Sequence, residues 1–169
     1  MLHQTILCQL TVNLVAFLAG NPCKLYFAPL GVKLSDHDLV QPDLMIVCDL
    51  AQIQSTHLEG PPQLVVEILS PSTVRHDRVR KLNLYGRVGV PEYWLVTQHP
   101  PMVEVLSNNA GLFTTVGAYT DKDTLLSPSF PTLRLDLGSV FADLPSQPPI
   151  DEVREYLPPS DVELVLASP

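Results

Sequence analysis

The chain has 169 residues, the size of one domain and little more. Apolar residues make up 46% of it and mean hydropathy is +0.18, which excludes a disordered chain and supplies material for a core. The formal charge of −8 excludes a protein that grips nucleic acid through a generally basic surface; only a local basic patch or bound cations could serve.

In chain order, Ile6, Leu7, Leu10, Leu14, Val15 and Leu18 recur at helical spacing and predict an amphipathic helix over residues 3–19, closed by Gly20, Asn21 and Pro22. Gln9, Thr11 and Asn13 interrupt this stretch, and no Lys or Arg precedes it, so it does not read as a signal peptide. No apolar run reaches the length of a transmembrane span. Residues 24–34 read as a strand pair, or one long strand broken at 29–31. Residues 42–48 (PDLMIVC) and 63–69 (QLVVEIL) are nearly continuous apolar runs, the pattern of strands buried on both faces. A polar, irregular stretch separates them.

Ser72 or Thr73 can cap a helix over residues 74–88 that Gly89 ends, and YWLVT at 93–97 is a third apolar strand. Strand, helix and strand in this order predict a crossover in a parallel or mixed sheet. Residues 102–106 and 112–119 alternate as a hairpin, and 133–144 as a last strand with a short helical turn. Together these elements predict an α/β fold in residues 1–144. Residues 145–169, rich in Pro and acid, read as a loosely attached tail.

Cys8, Cys23 and Cys48 are odd in number and contain no C-x-x-C. They suggest neither a disulfide framework nor a zinc site, and are expected as buried thiols in a reducing, cytoplasmic compartment. The five histidines, at 3, 37, 57, 76 and 99, show no metal-ligand spacing.

Chemistry is expected where charge sits among apolar residues. Asp43 opens one strand and Glu67 lies within the next, flanked by Val65, Val66, Ile68 and Leu69. Carboxylates there are expensive unless paired or bound to a metal. A hard divalent cation between two of them would relieve their repulsion, with the main-chain carbonyl of Ile68 as a further oxygen donor. For Asp43, which follows Pro42, the cap of a turn is an equally good account. Arg75, Arg78, Arg80, Lys81 and Arg87 are half of the ten basic residues and share one helix, which supplies the local patch for nucleic acid that overall composition lacks. Lys81, with Leu84 and Tyr85, is placed to face the sheet and reach the carboxylates; the alternative is a surface pair with Asp77.

The strings PDLMIVCD and GPPQLVVEILSPST, the helix with Asp77, Lys81 and Tyr85, and GVPEYWLV occur in an order that resembles the Uma-two family. That family consists of nuclease-like proteins of the PD-(D/E)XK, restriction-endonuclease-like superfamily. The resemblance is close over residues 40–96 and looser over 103–141. It implies a restriction-endonuclease-like core, a mixed central sheet flanked by helices. It also implies metal-dependent phosphodiester hydrolysis in which Asp43 and Glu67 match the two motif acids and Asp43, Glu67 and the Ile68 carbonyl hold Mg²⁺ or Mn²⁺. Leu69 stands where the superfamily pattern has Lys, and Lys81 looks like its relocated substitute. The partners implied are nucleic acid, DNA above all, and a second copy of the chain as a homodimer, with no membrane. Family members usually begin with a hairpin that this chain lacks. Two other readings stay open: a catalytically silent interaction domain on the same scaffold, and a hydrolase of small phosphodiesters.

Overall fold

The three apolar runs form the middle of one sheet, where strands covered on both faces need no polar side. The computed structural model describes residues 1–69 and 76–144, with side chains at all of these except 76–78. Helix α1 (Leu2–Phe17) opens the chain, followed by β1 (Lys24–Phe27), β2 (Gly31–Lys33), β3 (Leu39–Val40) and β4 (Leu44–Val47). A 3-10 turn (Leu50–Gln52), β5 (His57–Glu59), β6 (Leu64–Ile68), α2 (His76–Arg87) and β7 (Glu92–Thr97) come next. The chain continues with β8 (Met102–Asn109), β9 (Leu112–Thr120), β10 (Thr124–Leu126), β11 (Arg134–Asp136) and α3 (Leu137–Phe141).

The six-stranded central sheet runs β1-β4-β6-β7-β8-β9. Its β6–β7 pair, joined through α2, is parallel, and every other neighbouring pair is antiparallel. This is the mixed sheet expected from the strand–helix–strand order. Strand alternation divides the core. Leu44, Ile46, Leu64, Val66, Trp94 and Val96 pack on one face with Ile6, Leu10 and Leu14 of α1 and with α3. On the other face, Met45, Val47, Val65, Tyr93 and Leu95 meet Leu84 and Tyr85 of α2 and a small three-stranded sheet, β3-β2-β5. That small sheet was not expected, since strands of two and three residues carry no readable alternation. The break at 29–31 sends β1 and β2 into different sheets. The unexpected β10 pairs with β11. Val15, expected on the buried stripe of α1, is exposed.

Two positions demand particular local chemistry. Ala110 and Gly111 both have positive φ (52° and 90°), as a two-residue hairpin turn requires. A Cβ on Gly86 would lie 2.6 Å from the carbonyl oxygen of Gly111, so glycine lets α2 close on that turn. Asn108 completes the clamp: Nδ2 donates to the carbonyls of Gly86 (2.9 Å) and Val90 (3.0 Å), and Oδ1 accepts from the Gly111 amide (2.9 Å). The clamp fixes the end of the helix that carries Lys81 and Tyr85.

The cysteine expectation needs correction. Cys23 and Cys48 form a disulfide, and Cys8 is exposed rather than buried. The pairing has no signature in spacing because it follows from antiparallel β1 and β4, whose pair Lys24–Val47 brings the flanking residues opposite each other. The argument for a reducing compartment from unpaired thiols therefore falls. No helix among the described residues is long and apolar enough to cross a membrane. The expected cap at Ser72 or Thr73 and the tail of 145–169 lie outside the described residues.

A fully buried Glu92 ties the last elements to the sheet. It accepts from Trp94 Nε1 (2.6 Å), Ser127 Oγ (2.8 Å) and the Ser129 amide (2.7 Å). Three donors satisfy the carboxyl oxygens, and removing the acceptor strands all three. Urea unfolding of Glu92→Ala is expected to show a loss of ~3 kcal/mol or more, against ~1 kcal/mol for Ser127→Ala. Equal small losses would show that the carboxylate does not hold this region.

Candidate active site at the end of the central sheet

Antiparallel pairing of β4 with β6 sets Leu44 opposite Val66, so Asp43, just before β4, comes level with the last residues of β6. Asp43 shares the alternation of Met45 and Val47, and Glu67 that of Val65; both acids are thereby on the face that α2 covers. The sequence-predicted pair is therefore brought together, at the edge where parallel β6 and β7 end. Crevices outside the carboxyl ends of parallel strands are where open α/β sheets place ligands.

Asp43 is contacted from two elements, and Glu67 by two side chains of α2. Asp43 Oδ2 accepts the Ile68 amide at 2.7 Å. His3 Nε2, from the first turn of α1, lies 3.2 Å from Asp43 Oδ1. Glu67 is almost wholly buried; its Oε2 accepts from Lys81 Nζ at 3.0 Å and its Oε1 from the Tyr85 hydroxyl at 2.9 Å. Lys81 and Tyr85, four apart, lie on one side of α2 over the sheet. The stem of Lys81 is largely covered, with 19% of its side chain exposed, so the contact with Glu67 is an inward one; the side chain of Asp77 lies outside the described residues. The edge-on packing of Tyr85 against Tyr93 (5.2 Å between ring centres) fixes the phenol.

Burial pushes the Glu67 carboxyl up to about 7. Lys81 pulls it down by charge and hydrogen bond, the negative charge of Asp43 pushes it up, and the Tyr85 hydrogen bond lowers it slightly. Desolvation thus wins over a lysine in direct contact.

Among the described residues no three His, Cys, Asp or Glu side chains come together to hold a metal. What the site offers is two carboxylates and a main-chain carbonyl. The Ile68 amide faces Asp43, and in an extended strand a residue's N–H and C=O face the same edge, so its carbonyl faces Asp43 as well. An all-oxygen set of this size fits Mg²⁺ or Mn²⁺, which keep several waters, better than zinc. A cation would also relieve the strain that burial puts on ionised Glu67.

The remaining expected residues are placed less fully. Leu69 donates its amide to the Val96 carbonyl (2.8 Å), its own carbonyl accepts from Gln98 Nε2 (3.3 Å), and its side chain packs in the core beside α2. Arg80 is exposed on α2, and Arg87 lies 3.9 Å from Asp38. Arg75 and the side chain of Arg78 lie outside the described residues, so the basic patch is seen here only through Arg80 and Arg87. Sequence reasoning missed two participants. The sequence presents Tyr85 as a packing residue, and its spacing from Lys81 is the available signal. His3 had none, because it reaches Asp43 from the opposite face of the sheet.

Comparison with known proteins agrees with this architecture. A crystal structure titled as a putative nuclease belonging to DUF820, from Anabaena variabilis ATCC 29413, superposes with a TM-score of 0.70. The match covers 86% of this chain and 83% of that one at 16% identity, and so speaks for the fold alone, a mixed α/β fold. Residues 1–138 match the Uma2 family, described as "Putative restriction endonuclease". The chain belongs to that family. A curated relative, "Uncharacterized protein slr1290" of Synechocystis sp. (strain ATCC 27184 / PCC 6803 / Kazusa), is 29% identical over 109 residues, 63% of this chain. The match spans 57% of that relative's length.

A raised carboxyl has a definite sign in stability. Below about pH 4.5 Glu67 is protonated in both folded and unfolded chains. Between about 4.5 and 7 the folded chain keeps a proton that the unfolded one has lost, so stability falls as pH rises, and the penalty is complete above 7. Wild type minus Glu67→Gln, measured by urea unfolding without metal, is expected to decline by ~3 kcal/mol from pH 4 to 8. A flat difference would mean that Glu67 titrates normally.

Proposed function

We propose that this protein is a Mg²⁺- or Mn²⁺-dependent endonuclease that hydrolyses phosphodiester bonds of nucleic acid, DNA above all. The observation that carries this is the Asp43–Glu67 pair at the sheet end with Lys81 3.0 Å from Glu67. Family membership supports it. Asp43, Glu67 and the Ile68 carbonyl would hold the cation. When bound, that ion supplies Lewis acidity toward a phosphoryl oxygen and toward water. Tyr85 and Lys81 hold Glu67 in place, and Lys81 orients the attacking water and balances negative charge that grows on the phosphoryl oxygens. Water then adds across one P–O bond and releases a phosphate monoester and an alcohol. Arg75, Arg78 and Arg80 on the flanking segment and helix would meet the backbone phosphates, as Arg80's exposure allows. A nucleic-acid substrate is what supports a cytoplasmic location, and the β1 and β9 edges of the central sheet leave room for a homodimer.

The charge of −8 favours a second reading, an interaction domain that keeps this scaffold without turnover. Cleavage of plasmid and single-stranded DNA in Mn²⁺, alongside Mn²⁺ titration, separates the two. Wild type is expected to bind and cleave, Glu67→Ala to do neither, and Lys81→Ala to bind normally with turnover down about 10²-fold or more. Mn²⁺ binding without cleavage of any substrate would favour the silent domain, and equal loss of binding and turnover in Lys81→Ala would make that lysine structural.

A further inference from the structure

Among the described residues, His3 is the contact to Asp43 that comes from the far side of the sheet. Helix α1 is already anchored without it, through the buried stripe of Ile6, Leu10 and Leu14 and a bond from Gln9 Nε2 to Asp143 Oδ2 (3.2 Å). The imidazole is thus not needed to dock the helix. Asp43, by contrast, sits at a strand mouth with its side chain 20% exposed, where a carboxylate held by one oxygen could still swing. Its Oδ2 is occupied by the Ile68 amide at 2.7 Å, and His3 Nε2 stands 3.2 Å from the other oxygen.

We infer that His3 is a positioning residue of the candidate active site, fixing the Asp43 carboxylate between α1 and β6. The inference rests on the reading of Asp43 and Glu67 as a cation site. Oδ1 is the oxygen that the main chain leaves available, and each carboxylate oxygen can accept two partners. A cation on Oδ1 therefore shares that atom with His3. Outer partners of this kind set the direction of the ligand's lone pairs, and their removal weakens metal binding without removing a ligand. The same two-sided grip holds Oδ2 on the Ile68 amide, which gives the role a signature that needs no metal.

The experiment has two arms on the intact chain. In the first, Mn²⁺ affinity is measured by calorimetry for wild type, His3→Ala and His3→Gln, because glutamine carries an N–H donor about as far from the backbone as Nε2. His3→Ala is expected to weaken binding about tenfold and His3→Gln to restore most of it. In the second, hydrogen exchange at the Ile68 amide is followed by NMR without metal; it should speed up in His3→Ala and recover in His3→Gln. Unchanged Ile68 exchange in His3→Ala overturns the inference. So does an equal loss of thermal stability in both variants with no rescue by glutamine, which would make His3 a helix-docking residue. If wild type binds no Mn²⁺, the cation-site reading fails, and the Ile68 amide still decides the role of His3.

Discussion

A carboxylate buried among valines and isoleucines is unfavourable in its charged form, and Glu67 stands in that position near the end of a core strand. Much of the surrounding structure can be understood as a response to it. Lys81 supplies a charge of opposite sign, Tyr85 a hydroxyl, and α2 carries both. Burial outweighs their combined pull, so the Glu67 carboxyl stays above its usual range. Glu92 shows the contrast. It is as deeply buried, but three donors surround it and no second acid is described beside it, so it serves architecture. What distinguishes the two is the neighbour: Asp43 adds negative charge where Glu67 already lacks solvent.

That neighbour depends on strand order. Asp43 and Glu67 are distant in sequence and meet only because β4 runs antiparallel beside β6, which places the beginning of one strand against the end of the other. The parallel β6–β7 pair requires a crossover, and α2 provides it while laying its Lys81 and Tyr85 over the same end of the sheet. The hold of Asn108 and Gly86 on the far end of α2 extends this dependence to the β8–β9 hairpin. The site is therefore a product of five strands and of α2.

The central strands were legible because each is buried on both faces, and the resulting apolar runs at 42–48 and 63–69 make an acid within them conspicuous. The inward reach of Lys81 was legible from helical spacing, and the parallel pair from the order of elements. What escaped had its cause in pairing across distance. Strands β3, β5 and β10 exist through their partners rather than through their own pattern. Cys23 and Cys48 face each other only after β1 and β4 are aligned. Glu92 stood just outside the strand as read from sequence, and its partners Ser127 and Ser129 lie in a turn. His3 belongs to a helix on the opposite side of the sheet, and no periodicity in one element reports a contact with the end of another.

The disulfide gives β4 a property that bears on chemistry at its other end. Strand β4 is short and uniformly apolar, the type of strand whose alignment a hydrophobic pattern specifies poorly, because either face could be offered to either layer. A slip of one residue would turn every side chain over and carry Asp43 from the α2 side to the α1 side, away from Glu67. Cross-linking Cys23 to Cys48 at the first rung beyond the Lys24–Val47 pair excludes such a slip between β1 and β4. A covalent bond remote from the carboxylates thus works as an indexing pin for the β1–β4 pair, at the opposite end of β4 from the one that Asp43 precedes.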